Sequence, residues 1–297
     1  MVERIVHERI VPDRIVHERF AIPSRDGYPL RGDVRYLESF SGGKAVVVSH
    51  GFKGFKDWGF FPELNRELAL AGYLAVGFNF SGSGIGPDLE QFDDVERFEH
   101  ATLSGDLDDI GRILDALAEH RLPGPPVSAP FGLLGHSRGG AVSLLRAVAD
   151  QRVGCLVTWA AVSGFQRWDA ETLRAWRERG HVEVVNARTG QVFRLRTDFL
   201  DDFEAHAGDR LNVERAARGL AIPHLIVHGT DDESVSVSEA HELVSWGRGE
   251  LHLIAGAGHT MGAVHPFRGR TPAFDDALSA SLAFFRRHLP PQLPALA

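Results

Sequence analysis

The sequence predicts an α/β fold in which a mostly parallel sheet is flanked by helices, with a small cap inserted between two of its strands. Short apolar runs alternate along the chain with longer stretches of helical period, as they do in folds of this class. The run from Ala45 to Val48 is continuously apolar, which favours a strand buried on both faces. A helix packed on that sheet is indicated by apolar residues that recur every three or four positions, namely Leu103, Leu107, Ile110, Leu114 and Leu117.

The start of the chain predicts an antiparallel hairpin. The hexapeptide RIVHER occurs twice within the first 19 residues, and two short copies cannot build a solenoid. Gly27 and Pro29 indicate a turn, so we expect a hairpin near residues 15–38 after an N-terminal extension over residues 1–14. The alternative is that the first copy pairs with another subunit, in a homodimer.

Further apolar runs predict the remaining core strands, at residues 44–50, 74–80, 131–136, 153–161, 223–228 and 250–255. About 60 residues separate the fourth run from the fifth, far more than an ordinary crossover needs. That stretch contains two helical segments and, between them, two β-rich segments around a polar loop that ends in Gly190. We therefore predict a core over residues 15–162 and 221–289, with the inserted cap over residues 163–220.

Composition and charge exclude several classes of function. The chain has 297 residues, and its 32 Lys and Arg against 40 Asp and Glu give a net charge of −8, which offers no basic surface for nucleic acid. No apolar run is long enough to cross a membrane, and the mixed charges of the first residues differ from a signal peptide. A single cysteine, Cys155, excludes an intramolecular disulfide, so we expect a cytoplasmic protein.

The strongest local motif is Gly135-His136-Ser137-Arg138-Gly139. It directly follows an apolar run and directly precedes a helical stretch from Ala141 to Ala149. This strand–turn–helix context is what a nucleophile elbow requires, because the small glycines permit a sharp turn that exposes the serine at the N-terminal end of the helix. We therefore expect Ser137 to act as a nucleophile.

A serine nucleophile needs a base, and the base needs a carboxylate that holds its tautomer. The segment His228-Gly229-Thr230-Asp231-Asp232 closes one late strand, and Gly256-Ala257-Gly258-His259 closes the next. Both segments should lie at the carboxyl edge of the sheet, where open α/β sheets place their sites. His259 and one of the two aspartates are the candidates.

These motifs and their order resemble the α/β-hydrolase superfamily, in particular small bacterial serine esterases of the cinnamoyl (feruloyl) type and their dipeptidyl-aminopeptidase-like relatives. The resemblance covers roughly residues 16–288 and implies the α/β-hydrolase fold with an eight-stranded sheet. In such families the acid stands four residues after the histidine of an H-G-x-x-D pattern, which selects Asp232 and leaves Asp231 as its rival. The proline that usually completes the pattern is replaced here by Ser236, which changes the loop and leaves the triad intact.

The segment from His50 to Gly54 resembles the oxyanion-hole segment of the same families. The resemblance implies that the backbone amides of Phe52 and Arg138 stabilise the negative oxygen of a tetrahedral intermediate. It also implies that His50 braces this loop. His136 is expected to point away from the site, because neighbours along a strand face opposite sides of the sheet.

No cofactor or metal is predicted. Residues 79–84 form a glycine-rich turn that lacks G-x-G-x-x-G and carries no evident chemistry, and no P-loop pattern occurs elsewhere. The 15 histidines include no H-E-x-x-H pair or clustered ligand spacing, so a zinc site is not expected.

Aromatic residues at the entrance to the cap, or within it, are candidates for the substrate pocket: Trp159, Phe165, Trp168, Trp176, Phe193 and Phe199. The alternative is that they form the small core of the cap itself. In the cinnamoyl esterases that this chain resembles, the inserted hairpin contacts the aryl group, which implies a hydroxycinnamate ester as the substrate. A short-chain acyl ester is the other candidate.

The motifs and the resemblance together predict a cofactor-free serine hydrolase that cleaves small carboxylic esters through an acyl-enzyme on Ser137. Two alternatives stay open. The same groups would cleave amides in an aminopeptidase-like hydrolase, and a ligand-binding homologue could retain the fold without turnover.

Overall fold

The structure is a computed structural model that describes residues 14–89, 91–186 and 190–291. The predicted N-terminal extension up to residue 13, the centre of the predicted polar loop and the end of the chain lie outside the described residues. Within the described part of the chain, no helix is both long enough and apolar enough to span a membrane.

Ten strands are formed by the described residues: β1 (Ile15–Pro23), β2 (Pro29–Leu37), β3 (Ala45–Ser49), β4 (Leu74–Phe78), β5 (Phe131–His136), β6 (Val153–Trp159), β7 (His181–Val185), β8 (Val192–Arg196), β9 (His224–Gly229) and β10 (Glu250–Ile254). The nine helices of the same residues are α1 (Phe61–Leu70), α2 (Val95–Glu99), α3 (Leu103–Ala118), α4 (Arg138–Ala149), α5 (Ala170–Arg179), α6 (Asp198–His206), α7 (Val213–Gly219), α8 (Val237–Trp246) and α9 (Pro272–His288). Each predicted core strand is present within two residues of its expected ends.

Eight of the strands form one mostly parallel sheet in the order β1-β2-β4-β3-β5-β6-β9-β10. The predicted hairpin is confirmed, since β1 pairs antiparallel with β2 from Ile15 opposite Leu37 to Pro23 opposite Pro29. β2 also pairs antiparallel with β4, and every later pairing is parallel. The carboxyl ends of β3, β5, β9 and β10 therefore lie along the same edge of the sheet.

Alternate residues of the parallel strands face two separate hydrophobic clusters, as the period of two requires. Val47 and Leu133 pack on one face with α3 and α4. Val46 and Leu134 pack on the opposite face with α1 and α9. Because both faces are covered, these strands are apolar along their whole length, which is the pattern that predicted them.

The segment between β6 and β9 contains α5, the separate two-stranded sheet of β7 and β8, α6 and α7. Its aromatic residues belong to the same hydrophobic cluster as the α3 and α4 face of the main sheet. Trp168, Trp176 and Phe199 contact one another, with ring centroids 5.0, 5.5 and 5.9 Å apart. Trp176 is buried in this aromatic group, which agrees with the alternative interpretation that the aromatic residues pack against one another in a small core.

Two carboxylates of α3 are buried beneath this face of the sheet. Asp109 accepts a hydrogen bond of 2.7 Å from the backbone N–H of Ser81. Burial raises the pKa of Asp109 to about 8, despite that hydrogen bond, and the nearby Asp106 raises it further. Because this pKa exceeds the ordinary value of 3.8, the folded chain binds a proton that the unfolded chain releases. The free energy of unfolding should therefore fall as the pH rises from about 4 to about 8.

We expect Asp109→Asn to flatten this pH dependence. The amide oxygen can still accept from Ser81, and no charge is buried when the pH rises. Between pH 5 and pH 8, the free energy of unfolding of the wild type should therefore fall by on the order of 3 kcal/mol more than that of the variant. Urea unfolding at the two pH values measures the difference. Asp26→Asn, at an exposed position, is the control, and parallel pH profiles for the wild type and Asp109→Asn would contradict the assignment.

Candidate active site

Ser137 lies in the turn between β5 and α4, immediately before the first turn of that helix. Its φ of 56° and ψ of −124° are strained for a residue with a side chain. The backbone N–H of Ser137 donates to the carbonyl of Trp159 in β6, at 2.8 Å. The predicted sharp turn is therefore present, with the serine at the N-terminal end of a 12-residue helix.

Two glycines of the motif are required by close backbone contacts. A β-carbon at Gly135 would lie 2.4 Å from the carbonyl oxygen of Gly139, and one at Gly139 would lie 2.2 Å from that of His50. Non-bonded contacts this short are essentially never seen for a β-carbon, so neither position admits a side chain. The same packing brings the His50 loop against the elbow, since a β-carbon at Gly51 would lie 3.0 Å from the β-carbon of Ser137.

Asp232 and His259 are hydrogen-bonded partners. Asp232 follows β9 and His259 follows β10, and His259 Nδ1 lies 2.8 Å from Asp232 Oδ2. The other carboxylate oxygen accepts the backbone N–H groups of Ser234 and Val235, each at 2.9 Å. Burial raises the pKa of Asp232, but the hydrogen bonds from His228, His259 and Val235 outweigh it and hold the pKa below its ordinary value.

The rival carboxylate of Asp231 points elsewhere. Asp231 is exposed and accepts a hydrogen bond of 2.8 Å from the hydroxyl of Thr230. The structure therefore pairs Asp232 with the histidine. Ser236, at the position where relatives carry proline, caps α8 by accepting from the backbone N–H of Ser238 at 3.3 Å.

Ser137 and His259 line the same cavity, which has a volume of about 370 Å³. The hydroxyl of Ser137 makes no hydrogen bond to any residue in the described ranges, and what it shares with His259 is this cavity. Phe52 and Arg138 line it as well. Neither of their backbone amides donates to a described residue, which leaves two N–H groups free beside the serine.

The side chains of His50 and Asn79, which closely follow β3 and β4, brace the loop that carries Phe52. The Nδ1–H of His50 donates to the carbonyl of Gly51 at 2.8 Å, and His50 Nε2 accepts from the backbone N–H of Phe80 at 3.2 Å. Burial lowers the pKa of His50 to about 4, so the ring is neutral. The bracing role that the resemblance implies for His50 agrees with these contacts. Asn79, to which we assigned no role, accepts the backbone N–H of Lys56 at 2.7 Å and so holds the far end of the same loop.

The expectation that His136 points away from the site is wrong. Its ring does face the start of α1, with the rings of Phe60 and Phe61 at 5.5 and 6.0 Å, but the loop after β10 reaches the same ring. His136 Nε2–H donates to the backbone carbonyl of His259 at 2.9 Å, and the two rings are 4.7 Å apart. Burial lowers the pKa of His136 to about 3, so the ring beside His259 is uncharged.

Of the six aromatic candidates for the pocket, three line the cavity and three, Trp159, Trp176 and Phe193, do not. Phe165 and Trp168 line the cavity, together with Phe199. Trp159 is wrong as a pocket residue, since it is fully buried on the α1 and α9 face, where its Nε1–H donates to Ser281 at 2.9 Å. The prediction for Phe193 is wrong for a similar reason, because this residue is fully buried behind the cavity wall.

The buried Phe193 supports the cavity indirectly. Its ring contacts Phe98 at 4.8 Å, and Phe98 stacks on Phe52 at 5.6 Å. The remaining lining residues were not predicted: Lys53, Val162, Gly164, Arg167, Ser234 and Val235. Lys53, Ser234 and Val235 are sequence neighbours of predicted site residues, which is a signal that could have identified them. In the described ranges, no group of three or more His, Cys, Asp or Glu side chains is placed to hold a metal ion.

Comparisons with known proteins agree with this architecture. The model of the alpha/beta hydrolase family matches residues 45–269. Among curated proteins, the chain is 27% identical over 212 residues to 2,6-dihydropseudooxynicotine hydrolase of Paenarthrobacter nicotinovorans, covering 70% of this chain but only 49% of that protein. It is 23% identical over 289 residues to 2-hydroxy-6-oxo-6-(2'-aminophenyl)hexa-2,4-dienoic acid hydrolase of Metapseudomonas resinovorans, covering 86% and 88% of the two chains.

Solved structures share the fold at low sequence identity. Est1E from Butyrivibrio proteoclasticus, solved with ferulic acid bound, superposes with a TM-score of 0.65 at 17% identity, over 91% of this chain and 98% of Est1E. An esterase domain from Rhodothermus marinus gives a TM-score of 0.60 at 20% identity, over 92% and 99%. The family model matches most of the chain, and the sheet order and the elbow agree with it. The chain is therefore a member of the alpha/beta hydrolase family.

Proposed function

We propose that the protein is a serine hydrolase that cleaves small carboxylic esters through an acyl-enzyme on Ser137. The observation that carries the proposal is the joint position of three groups: a strained serine at a helix N-terminus, a histidine in the same cavity, and a buried aspartate 2.8 Å behind that histidine. This arrangement is the one that nucleophilic acyl transfer requires.

The proposed reaction begins when Ser137 attacks the acyl carbon. His259 donates through Nδ1–H to Asp232, which leaves Nε2 free to remove the proton of the serine. The buried carboxylate stabilises the imidazolium that forms. The amides of Phe52 and Arg138 donate to the oxygen that becomes negative in the tetrahedral intermediate. His259 then protonates the leaving alcohol, and water repeats the sequence to release the acid.

Residues 163–220 act as a cap in this proposal. They supply Phe165, Trp168 and Phe199 to the cavity wall, and these side chains suit an aryl or short alkyl acyl group. Est1E is crystallised with ferulic acid, which supports hydroxycinnamate esters as one substrate to test. A small-molecule ester is the only partner that the proposed reaction needs.

Labelling with a fluorophosphonate probe tests the proposal. We expect the wild type to be labelled, Ser137→Ala to be unlabelled, and Ser245→Ala, which removes an exposed serine on α8, to label like the wild type. We also expect turnover of p-nitrophenyl butyrate or methyl ferulate and none of alanyl-p-nitroanilide. Preferential cleavage of the anilide would make the protein an aminopeptidase-like amide hydrolase. A folded wild type that binds ferulate but is neither labelled nor active would make it a ligand-binding homologue.

A further inference from the structure

The charged side chains that line the cavity are all cationic. Lys53, Arg138 and Arg167 line it, and none of the lining residues is an aspartate or a glutamate. The other large side chains of the wall are apolar: Phe52, Val162, Phe165, Trp168, Phe199 and Val235. A ligand in this cavity therefore meets an apolar wall with positive charges set into it.

Two of the three cations are neutralised by carboxylates behind the wall. Arg138 forms an ion pair of 3.1 Å with the buried Asp106, and its guanidinium lies over the ring of Phe52, 4.5 Å from the centroid. Arg167 forms an ion pair of 2.7 Å with Glu239 and donates to the carbonyl of Ser234 at 3.1 Å. These contacts fix both guanidinium groups in place.

Lys53 differs, because it has no carboxylate partner among the described residues. Its ammonium group donates to the backbone carbonyl of Val185 at 3.3 Å, and it lies 5.9 Å from the centroid of the Phe52 ring. A neutral carbonyl leaves the positive charge uncompensated. A carboxylate would be a stronger partner, since hydrogen bonds between oppositely charged groups are about twice as strong as neutral ones.

The backbone of Lys53 adds an independent observation. Its φ is 58°, in the left-handed region that favours glycine. The loop thus holds a long charged side chain, next to the amide of Phe52, at a position where a residue without a side chain would fit with less strain. Strain of this kind concentrates at functional sites.

We propose that the site selects substrates that carry a carboxylate on an apolar acyl or alcohol group, and that Lys53 is the residue that determines this preference. This inference rests on the proposed function for the reaction itself, but it concerns binding in the cavity and can be tested without turnover. The carboxylate takes the place of Val185 as the partner of the ammonium group. The apolar portion packs on Phe165 and Trp168.

Binding to the Ser137→Ala variant tests the charge preference without chemistry. Calorimetry compares 3-phenylpropanoate with 3-phenylpropanamide, two ligands of nearly equal size that differ in charge. We expect the anion to bind about tenfold tighter at low ionic strength, which corresponds to about 1.4 kcal/mol, and the ratio to shrink towards one at high salt. Equal affinities, or tighter binding of the amide, would overturn the inference.

Substitutions at position 53 assign the preference to the lysine. In the Ser137→Ala background, Lys53→Met should lower the anion-to-amide affinity ratio about tenfold, to near one. Lys53→Gly should do the same while relieving the backbone strain, so a folding defect in the methionine variant would not obscure the result. Lys44→Met, which removes a lysine that does not line the cavity and whose ammonium group donates to the carbonyls of Ser128 and Ala129, should keep the ratio. Retention of the ratio in both Lys53 variants would overturn the assignment.

Turnover separates this inference from the proposed function. With Ser137 intact, kcat/KM should be about tenfold higher for p-nitrophenyl hemiglutarate than for p-nitrophenyl valerate, and Lys53→Gly should remove that advantage. Anion-selective binding in a protein that hydrolyses neither ester would retain the inference and reject the hydrolase. Efficient hydrolysis of p-nitrophenyl valerate with no preference for the hemiester would retain the hydrolase and reject the inference.

Discussion

Replacing Ser137 with alanine is expected to lower kcat for ester hydrolysis at least about 10⁴-fold. The change removes the only proposed nucleophile and leaves Asp232, His259 and the free amides in place. Residual activity over that of water would come from binding and the oxyanion donors alone. Stopped assays with p-nitrophenyl butyrate, on protein purified away from host esterases, measure the loss.

Ser137→Gly is the matched variant for this experiment. It removes the same nucleophile but also relieves a φ of 56°, so it should unfold at a higher temperature than Ser137→Ala, by an amount that corresponds to about 1 kcal/mol. A thermal scan of the two inactive proteins compares them. Ser137→Ala protein that keeps more than a few per cent of the wild-type kcat would reject the serine as nucleophile.

Asp232→Asn is expected to lower kcat on the order of 10³- to 10⁴-fold with little change in KM. An amide at this position can present N–H to Nδ1 of His259, which favours the tautomer in which Nε2 carries the proton and cannot accept another. The backbone donors of Ser234 and Val235 would still find the amide oxygen, so the loop should stay folded. Steady-state kinetics with near-ultraviolet circular dichroism separate lost catalysis from lost structure.

Asp231→Asn is the control for that change, because its carboxylate lies one residue away and contacts Thr230 instead of His259. It should keep kcat within about twofold, as surface substitutions usually do. The reverse outcome, with Asp231→Asn inactive and Asp232→Asn active, would reassign the acid.

Much of the fold could be predicted from the sequence because a parallel sheet covered on both faces has a local signature. The continuous apolar run at β3 and the period of α3 each indicate their element without knowledge of the rest of the chain. The elbow is equally local, since Gly135 and Gly139 are needed by contacts within the turn and with the adjacent β3 loop.

One error could have been avoided from the local sequence, and another depended on distant parts of the chain. Alternation along β6 puts Trp159 on the same face as Cys155 and Val157, away from the cavity. That alternation could have excluded Trp159 as a pocket residue. No local pattern could show that the loop after β10 meets His136, because that contact joins residues 123 positions apart. Arg167 and Lys53 reach one cavity only after the segment between β6 and β9 has folded over the sheet.

The segment between β6 and β9 is inserted at a point of the chain where evolution can alter it without altering the sheet. β6 and β9 are neighbours in the sheet and pair directly, from Leu156 opposite His224 to Trp159 opposite Val227. The intervening stretch can therefore lengthen, shorten or be exchanged without a shift in the strand register that aligns Ser137 with His259. Most of the aromatic wall of the cavity lies in this exchangeable stretch, together with Arg167, whereas Lys53, the cation without a described carboxylate partner, lies outside it. Selection on aromatic shape and selection on the charge at position 53 can thus act on separate stretches of the gene.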